Sequence, residues 1–421
     1  MGRLEADGLI DILFIENSPG LSGSTMSLCT LLNYLDPDRV GAHVVLSRPE
    51  QETYLVAHLR RPGDMAVIGP RRSLKRAVLM QRLVARGGSS RPWFGRLLLR
   101  IASLLDIFGV TVPYVWRLYQ FAKDRRIKLV HQNNGFDLGS VILSRLLRVP
   151  LVAYQRGDEW NSPAVRWLAG GVQHYIANSA TTQAWLTSLG IASRRISIVY
   201  PPLDLVVFDH RRTFSLSRST FGVDETTACF GIVGNLVPWK GQGVFLRAAR
   251  RVFDRIRNAR AFVVGGPLPD GKKYETELKA LARDLGIDDR VTFTGFCADV
   301  PEIMNLLDVV VHASISPEPF GRVIVEAMAM RRPVVASGAG GPLEIIEDGR
   351  TGFLVAPGDE GALASRVITL LEDRTLSARI AVAAYQDVER RFSPDIHAQE
   401  VQQVYETVLR SDPHQRPGTP G

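Results

Sequence analysis

The 421-residue chain has 45% hydrophobic and 22% charged residues and a formal charge of +8, an ordinary globular composition that supplies a core. No run of about 18 apolar residues occurs, so no spanning helix is expected, and the acid-containing start MGRLEADGLIDILFIEN reads neither as a secretory signal nor, with Ala6 in place of Ser or Thr, as a myristoylation site. Cys29, Cys229 and Cys297 lie far apart and fit neither a disulfide framework nor a zinc site, which points to a reducing cytoplasm.

In chain order, IDILFIEN reads as a strand that runs into a glycine-containing loop, SPGLSGST. The helical stretch MSLCTLLNYL and the strand AHVVLS follow, then KLVHQNN, VPLVAYQ and HYIANS, each before a helix or loop. This alternation predicts a parallel sheet with helices on both faces. The pattern pauses in ISIVYPPLDLVVFD, where Pro201, Pro202 and Asp204 mark a hinge. A second series begins at TACFGIVGN and continues through RAFVVGG, RVTFTGF, DVVVHAS and RPVVASGAGG. The expected fold class is therefore α/β, with two doubly wound, Rossmann-like units facing a deep cleft. Their ligands should lie beyond the carboxyl ends of the strands. The expected boundaries are residues 1–203 for an acceptor-side domain and 204–392 for a donor domain. A C-terminal helix over 393–410 should pack back toward the first domain, and the polar tail 411–421 should be disordered.

The stretch SPEPFGRVIVEAMAMRRPVV places Glu318 and Glu326 eight residues apart. Pro317 and Pro319 block helix at Glu318, and a helix should start near Phe320 or Gly321 and run to about Met330. A helix N-terminus attracts anions. Eight residues at about 1.5 Å each give roughly 12 Å, about the length of a sugar–diphosphate–ribose unit. One carboxylate would take sugar hydroxyls and the other ribose hydroxyls. The competing reading makes Glu318 a helix cap and Glu326 a solvated helix residue.

The second half resembles the retaining glycosyltransferases of family 4, which have the GT-B fold. The resemblance rests on GNLVPWKGQGVFLRAA, VVGG, LGIDDRVTFTGF, DVVVHASISPEPFGRVIVEAMA, RPVVASGAGGPLEII and GRTGFLVAPGD, in the family's order. It implies that Glu318 holds donor sugar hydroxyls, helped by the backbone of Phe320, Gly321 and Arg322, and that Glu326 binds the ribose. Lys240 would neutralise the diphosphate, where a fixed cation stabilises the charge on the leaving group. After Gly234 the family usually has Arg; here Asn235 stands, a neutral donor, with Arg322 as an alternative cation. Residues 331 and 133 also depart from the pattern, with Arg331 for a common Gly and Asn133 for a His.

In the first domain, PGLSGST resembles the family's glycine loop, so Gly20 and Gly23 would let the backbone approach a ligand; an ordinary turn reads equally well. The strand end VHQNNG offers His131, Asn133 and Asn134 to the acceptor side, with His131 otherwise a core histidine. QRGDEW offers Arg156, Asp158 and Glu159, otherwise a salt-bridged loop.

From Arg60 to Lys128 the chain has sixteen Lys/Arg against three acids, a local +13 that leaves −5 elsewhere. Within it, PWFGRLLLRIASLLDIFG sets Phe94, Leu97, Leu98, Ile101, Leu104, Leu105 and Phe108 at helical spacing, beside Arg96 and Arg100. Such a helix either lies on an anionic membrane or packs on the sheet. Nucleic acid is not an expected partner, because no binding motif accompanies the charge.

The expected function is retaining transfer of a sugar from a nucleotide-diphosphate sugar to an acceptor hydroxyl, in polysaccharide, lipopolysaccharide or glycolipid synthesis. The nucleotide sugar is a substrate; no cofactor or metal is expected. The expected partners are the donor, a lipid-linked or saccharide acceptor and an anionic membrane surface, at the cytoplasmic face. The alternatives are a sugar-nucleotide-binding protein without turnover and a nucleotide-sugar epimerase of the same fold.

Overall fold

The computed structural model describes residues 9–18, 21–61, 63–69, 107–157, 162–268 and 271–411. Gly20, Asp158, Glu159, the run from Phe94 to Leu105 with Arg96 and Arg100, and the tail from residue 412 lie outside the described residues.

The chain divides into two units. The first takes Met1–Asn178, Thr182–Val199 and His397–Gly421; the second takes Ser179–Thr181 and Tyr200–Ile396. The first unit's strands are β1 (Ile10–Glu16), β2 (Val40–Leu46), β3 (Asp64–Val67), β4 (Leu129–Gln132), β5 (Leu151–Gln155), β6 (His174–Ala177) and β7 (Ile196–Ile198). They pair in the order β3-β2-β1-β4-β5-β6-β7. The second unit's strands are β8 (Ala228–Val233), β9 (Ala259–Val264), β10 (Val291–Gly295), β11 (Val309–His312), β12 (Val334–Ser337) and β13 (Phe353–Val355). Their order is β10-β9-β8-β11-β12-β13, and the named strands pair in parallel in both sheets.

The strands read as unbroken apolar runs because both faces are covered. Alternation then divides them between two cores: Phe230 and Ile232 of β8 join one cluster, and Cys229 and Val233, on the opposite face, join the other. The first sheet is likewise packed on both faces. One of its cores combines Ile12, Phe14, Leu129 and Val152 with Ala398, Val401, Val404, Tyr405 and Val408 from the helix Pro394–Ser411. Asp137 caps the helix after β4 by accepting the Ser140 amide at 2.7 Å.

In each sheet the strand order reverses between two central neighbours, β1 and β4 in the first unit and β8 and β11 in the second. Chain leaving adjacent strands there diverges, which opens a crevice at the carboxyl ends. Among the described residues, no helix is long and apolar enough to cross a membrane.

Candidate functional site

In the second unit, three loops that leave adjacent strands are stitched together by backbone. After β8 the chain passes Gly234, at φ 148°, and makes a short turn over Pro238–Lys240. The amide of Ile315, after β11, donates to the carbonyl of Trp239 at 2.8 Å. Gly241 follows at φ 74°, and a Cβ there would stand 1.9 Å from the carbonyl oxygen of Ala313; only glycine permits that approach. The loop after β12 fastens the other side. Glu318 donates its amide to Ala339 at 3.1 Å, and its carbonyl accepts from Gly341 at 2.8 Å.

These contacts bring Lys240 to Glu318. The Lys240 ammonium donates to Glu318 Oε2 at 2.7 Å and lies 4.2 Å from the centre of the Trp239 ring. Ser314 Oγ donates to the same oxygen at 3.1 Å, and His312 Nε2 lies 3.3 Å from it. Glu318 Oε1 takes no hydrogen bond among the described residues. Burial pushes the Glu318 carboxyl upward, but His312 and Lys240 outweigh it and hold the group at about 2.

The helix expected from Phe320 or Gly321 spans Arg322–Ala329. Gly321, at φ 102°, holds the left-handed conformation that delays its start, and no side chain caps it. Phe320 is buried, its ring 5.8 Å from that of Phe392 and 6.0 Å from that of Tyr200, so only its backbone is available at the helix end. Arg322 Nε donates to Glu326 Oε1 at 2.8 Å across one turn. Arg322 is thus partnered within its own helix. Asn235 is exposed, and its carbonyl accepts from Gln242 Nε2 at 2.9 Å.

The first unit builds a different cluster at its own switch point. Glu16 ends β1 and is 1% exposed. Its carboxylate accepts from the Ser18 amide at 2.9 Å, from Ser24 Oγ at 3.2 Å, and from the Asn133 side-chain amide. Arg156 donates to the Asn133 carbonyl and to Asn133 Oδ1, each at 3.0 Å, and lies over the Tyr154 ring at 3.9 Å. Asn133 is completely buried and bridges Glu16 to Arg156. His131 is also fully buried, with Nδ1 2.9 Å from the Tyr405 hydroxyl. Burial, then the charges of Arg156 and His397, lower its pKa to about 3. His131 therefore has the geometry of a core histidine. Gly23 is exposed and opens the helix Gly23–Tyr34.

Sequence reading passed over His312, Ser314, Glu16, Gly340 and Gly341. The first and third had a signal: each is a titratable residue that closes an apolar parallel strand.

Comparison with known proteins follows these two clusters. Residues 215–387 match the family model for glycosyl transferases group 1, and residues 22–207 match that for glycosyltransferase family 4. A D-inositol 3-phosphate glycosyltransferase of Corynebacterium kroppenstedtii is 34% identical over 231 residues, 53% of this chain and 51% of that protein. The chain thus spans about half the length of the curated relatives it matches. The crystal structure of Anabaena HepE with UDP and glucose aligns at TM-score 0.74 and 27% identity, over 94% of this chain and all of that one. HepE with UDP-glucose aligns at TM-score 0.71 and 28% identity, over 95% of this chain and all of that one. Matched in both units by models of one enzyme group, and alike in architecture over nearly its whole length, the chain belongs to glycosyltransferase family 4, the group 1 glycosyltransferases, with the GT-B fold.

Proposed function

We propose that the protein transfers a sugar from a nucleotide-diphosphate sugar to an acceptor hydroxyl with retention of configuration. The carrying observation is the Lys240–Glu318 pair at the carboxyl ends of β8 and β11, 2.7 Å apart. In the donor complex the Lys240 ammonium turns to the diphosphate, where negative charge grows as the glycosyl bond breaks. Glu318, still held by Ser314 and His312, uses Oε1 to accept sugar hydroxyls. Backbone amides at the uncapped end of the helix Arg322–Ala329 face the phosphates, and Glu326 takes the ribose. The diphosphate oxygen receives the acceptor's proton as the new bond forms on the face the leaving group vacates. The UDP and UDP-glucose complexes of HepE support a uridine nucleotide sugar as the donor.

The acceptor is an inositol phosphate, a saccharide or a lipid-linked sugar, the last two in polysaccharide, lipopolysaccharide or glycolipid synthesis; the first is supported by the names of the curated relatives. A lipid-linked acceptor fits peripheral attachment to an anionic surface through the first unit. Trp116 is 60% exposed and its ring stacks 6.1 Å from Tyr119, on the helix Val112–Lys123 within the basic segment.

The test combines a thermal-shift screen of nucleotide sugars with product analysis by NMR. The proposal expects stabilisation by one donor and a product whose anomeric coupling matches that donor. An inverted anomer overturns retention. Donor binding with neither transfer nor hydrolysis over a broad acceptor panel points to a binding protein.

A further inference from the structure

The first unit has a second concavity, at the opposite edge of its sheet from Glu16 and Asn133. A cavity of about 600 Å³ opens where the chain enters β5, β6 and β7. Its walls are the end of the helix Leu138–Leu147, the turns before those strands, and the last turn of Pro394–Ser411. Arg145, Arg148, Arg194 and Arg195 line it, and among the described residues no carboxylate does.

The four arginines differ in what holds them. Arg195 is fixed: its guanidinium donates to the carbonyls of Gln173 at 3.1 Å and of Gly170 at 3.4 Å, and to that of Val172. Arg145, Arg148 and Arg194 are exposed, and none has a side-chain hydrogen bond or ion pair among the described residues. Arg148 also sits at φ 57°, a left-handed position more usual for glycine or asparagine. His174, buried in the wall, is held by Ser197 at 2.9 Å. Burial and the Arg195 charge both lower its pKa, consistent with a positive potential in the cavity.

Four guanidinium groups around one hollow repel one another unless an anion sits among them. Guanidinium is planar and forked, and it matches two oxygens of a phosphate at once. The volume falls in the range of small-molecule sites. We propose that this cavity binds a phosphorylated anion with at least two negative charges. Because substrates of such sheets bind at the carboxyl edge, occupancy here leaves the donor site free. The inference does not rest on the proposed reaction.

Two sources share this chemistry: a soluble phosphate ester or pyrophosphate, and a phospholipid headgroup. The test uses the full chain carrying Lys240→Ala, so that the donor-side cation does not hold the probe. Titration calorimetry with inorganic pyrophosphate should show binding that weakens with salt. The triple variant Arg145→Gln, Arg148→Gln, Arg194→Gln should bind at least about tenfold more weakly, the equivalent of one or two charge-assisted contacts. If pyrophosphate does not bind but vesicles containing phosphatidylinositol 4-phosphate sediment the parent and not the triple variant, the ligand is a headgroup. The proposal is overturned if neither probe binds, or if the triple variant matches the parent with both. Circular dichroism and melting of the triple variant separate loss of the site from loss of the fold. Without Lys240→Ala, the same three substitutions should leave turnover within about twofold, because they lie far from the transition-state charge.

Discussion

Lys240 and Glu318 stand 78 residues apart in the chain, and the ammonium of one donates to the carboxylate of the other at 2.7 Å. Lys240, His312 and Ser314 all meet Oε2. A carboxylate tied at one oxygen keeps its rotamer while the other oxygen serves a ligand. A cation held by a carboxylate is likewise in place before the diphosphate arrives, which lowers the cost of ordering it on binding.

Lys240→Ala should lower kcat by about 10²–10³, the usual cost of removing one fixed charge from a transition state. Circular dichroism should stay unchanged. Turnover within about threefold of wild type at saturating donor contradicts the role given to Lys240.

Glu318 has its carboxyl held at about 2 against an ordinary value of 4.5. A lowered carboxyl stabilises the fold above 4.5, and that stability is lost as pH falls from 4.5 to 2. The contribution is on the order of 3 kcal/mol at neutral pH. Melting curves of wild type should therefore drop across this window, and Glu318→Gln should lack that part of the drop. Parallel curves for the two proteins count against the pairing.

The two glutamates should fail differently. Glu326→Ala should raise the Kd for free UDP, because ribose contacts exist in ground and transition states alike. It also removes the partner of Arg322. Glu318→Ala should chiefly lower kcat, and calorimetry with UDP alone should find its affinity little changed. Loss of UDP binding in Glu318→Ala with retention in Glu326→Ala reverses the assignment.

Tyr405→Phe removes the hydrogen bond to Nδ1 of His131, a ring whose Nε2 is already buried without a partner among the described residues. The cost should be about 1–3 kcal/mol, read as a lower Tm with kcat unchanged. His131 is lowered from 6.5 to about 3. Its stability contribution is thus complete above 6.5 and declines as pH falls toward 3. An unchanged Tm with collapsed turnover returns His131 to the acceptor side.

Most of the fold was legible because buried parallel strands are apolar on both faces. DVVVHAS and VPLVAYQ declare themselves as β11 and β5 without any partner in view. The strands β3, β7 and β13 were not read: β7 and β13 have three residues each, too short for a pattern to rise above its surroundings, and β3, DMAV, opens on an acid and is only partly buried, so it makes no apolar run. The donor-side residues were found through the spacing of Glu318 and Glu326 and the motif around Lys240. That Lys240 pairs with Glu318 was not legible, since the pair depends on Gly241 passing close to Ala313. In the first unit, His131 and Asn133 sit where a strand end predicts them, yet both point into protein. Strand position fixes which edge a residue reaches; the neighbours that bury it come from distant segments.

The helix Pro394–Ser411 has a consequence for how the molecule is made. It supplies Ala398, Val401, Val404, Tyr405 and Val408 to a core whose strands were synthesised more than two hundred residues earlier. On the ribosome, the first unit must wait with one apolar face uncovered while the whole second unit emerges. At about 5–20 residues per second that wait is on the order of ten seconds or more. The second unit, nearly contiguous in sequence, has no such delay, so the half made last can finish first. A chain ending at Ile396 and held on the ribosome by a linker long enough to clear the exit tunnel should then recruit chaperones through the first unit.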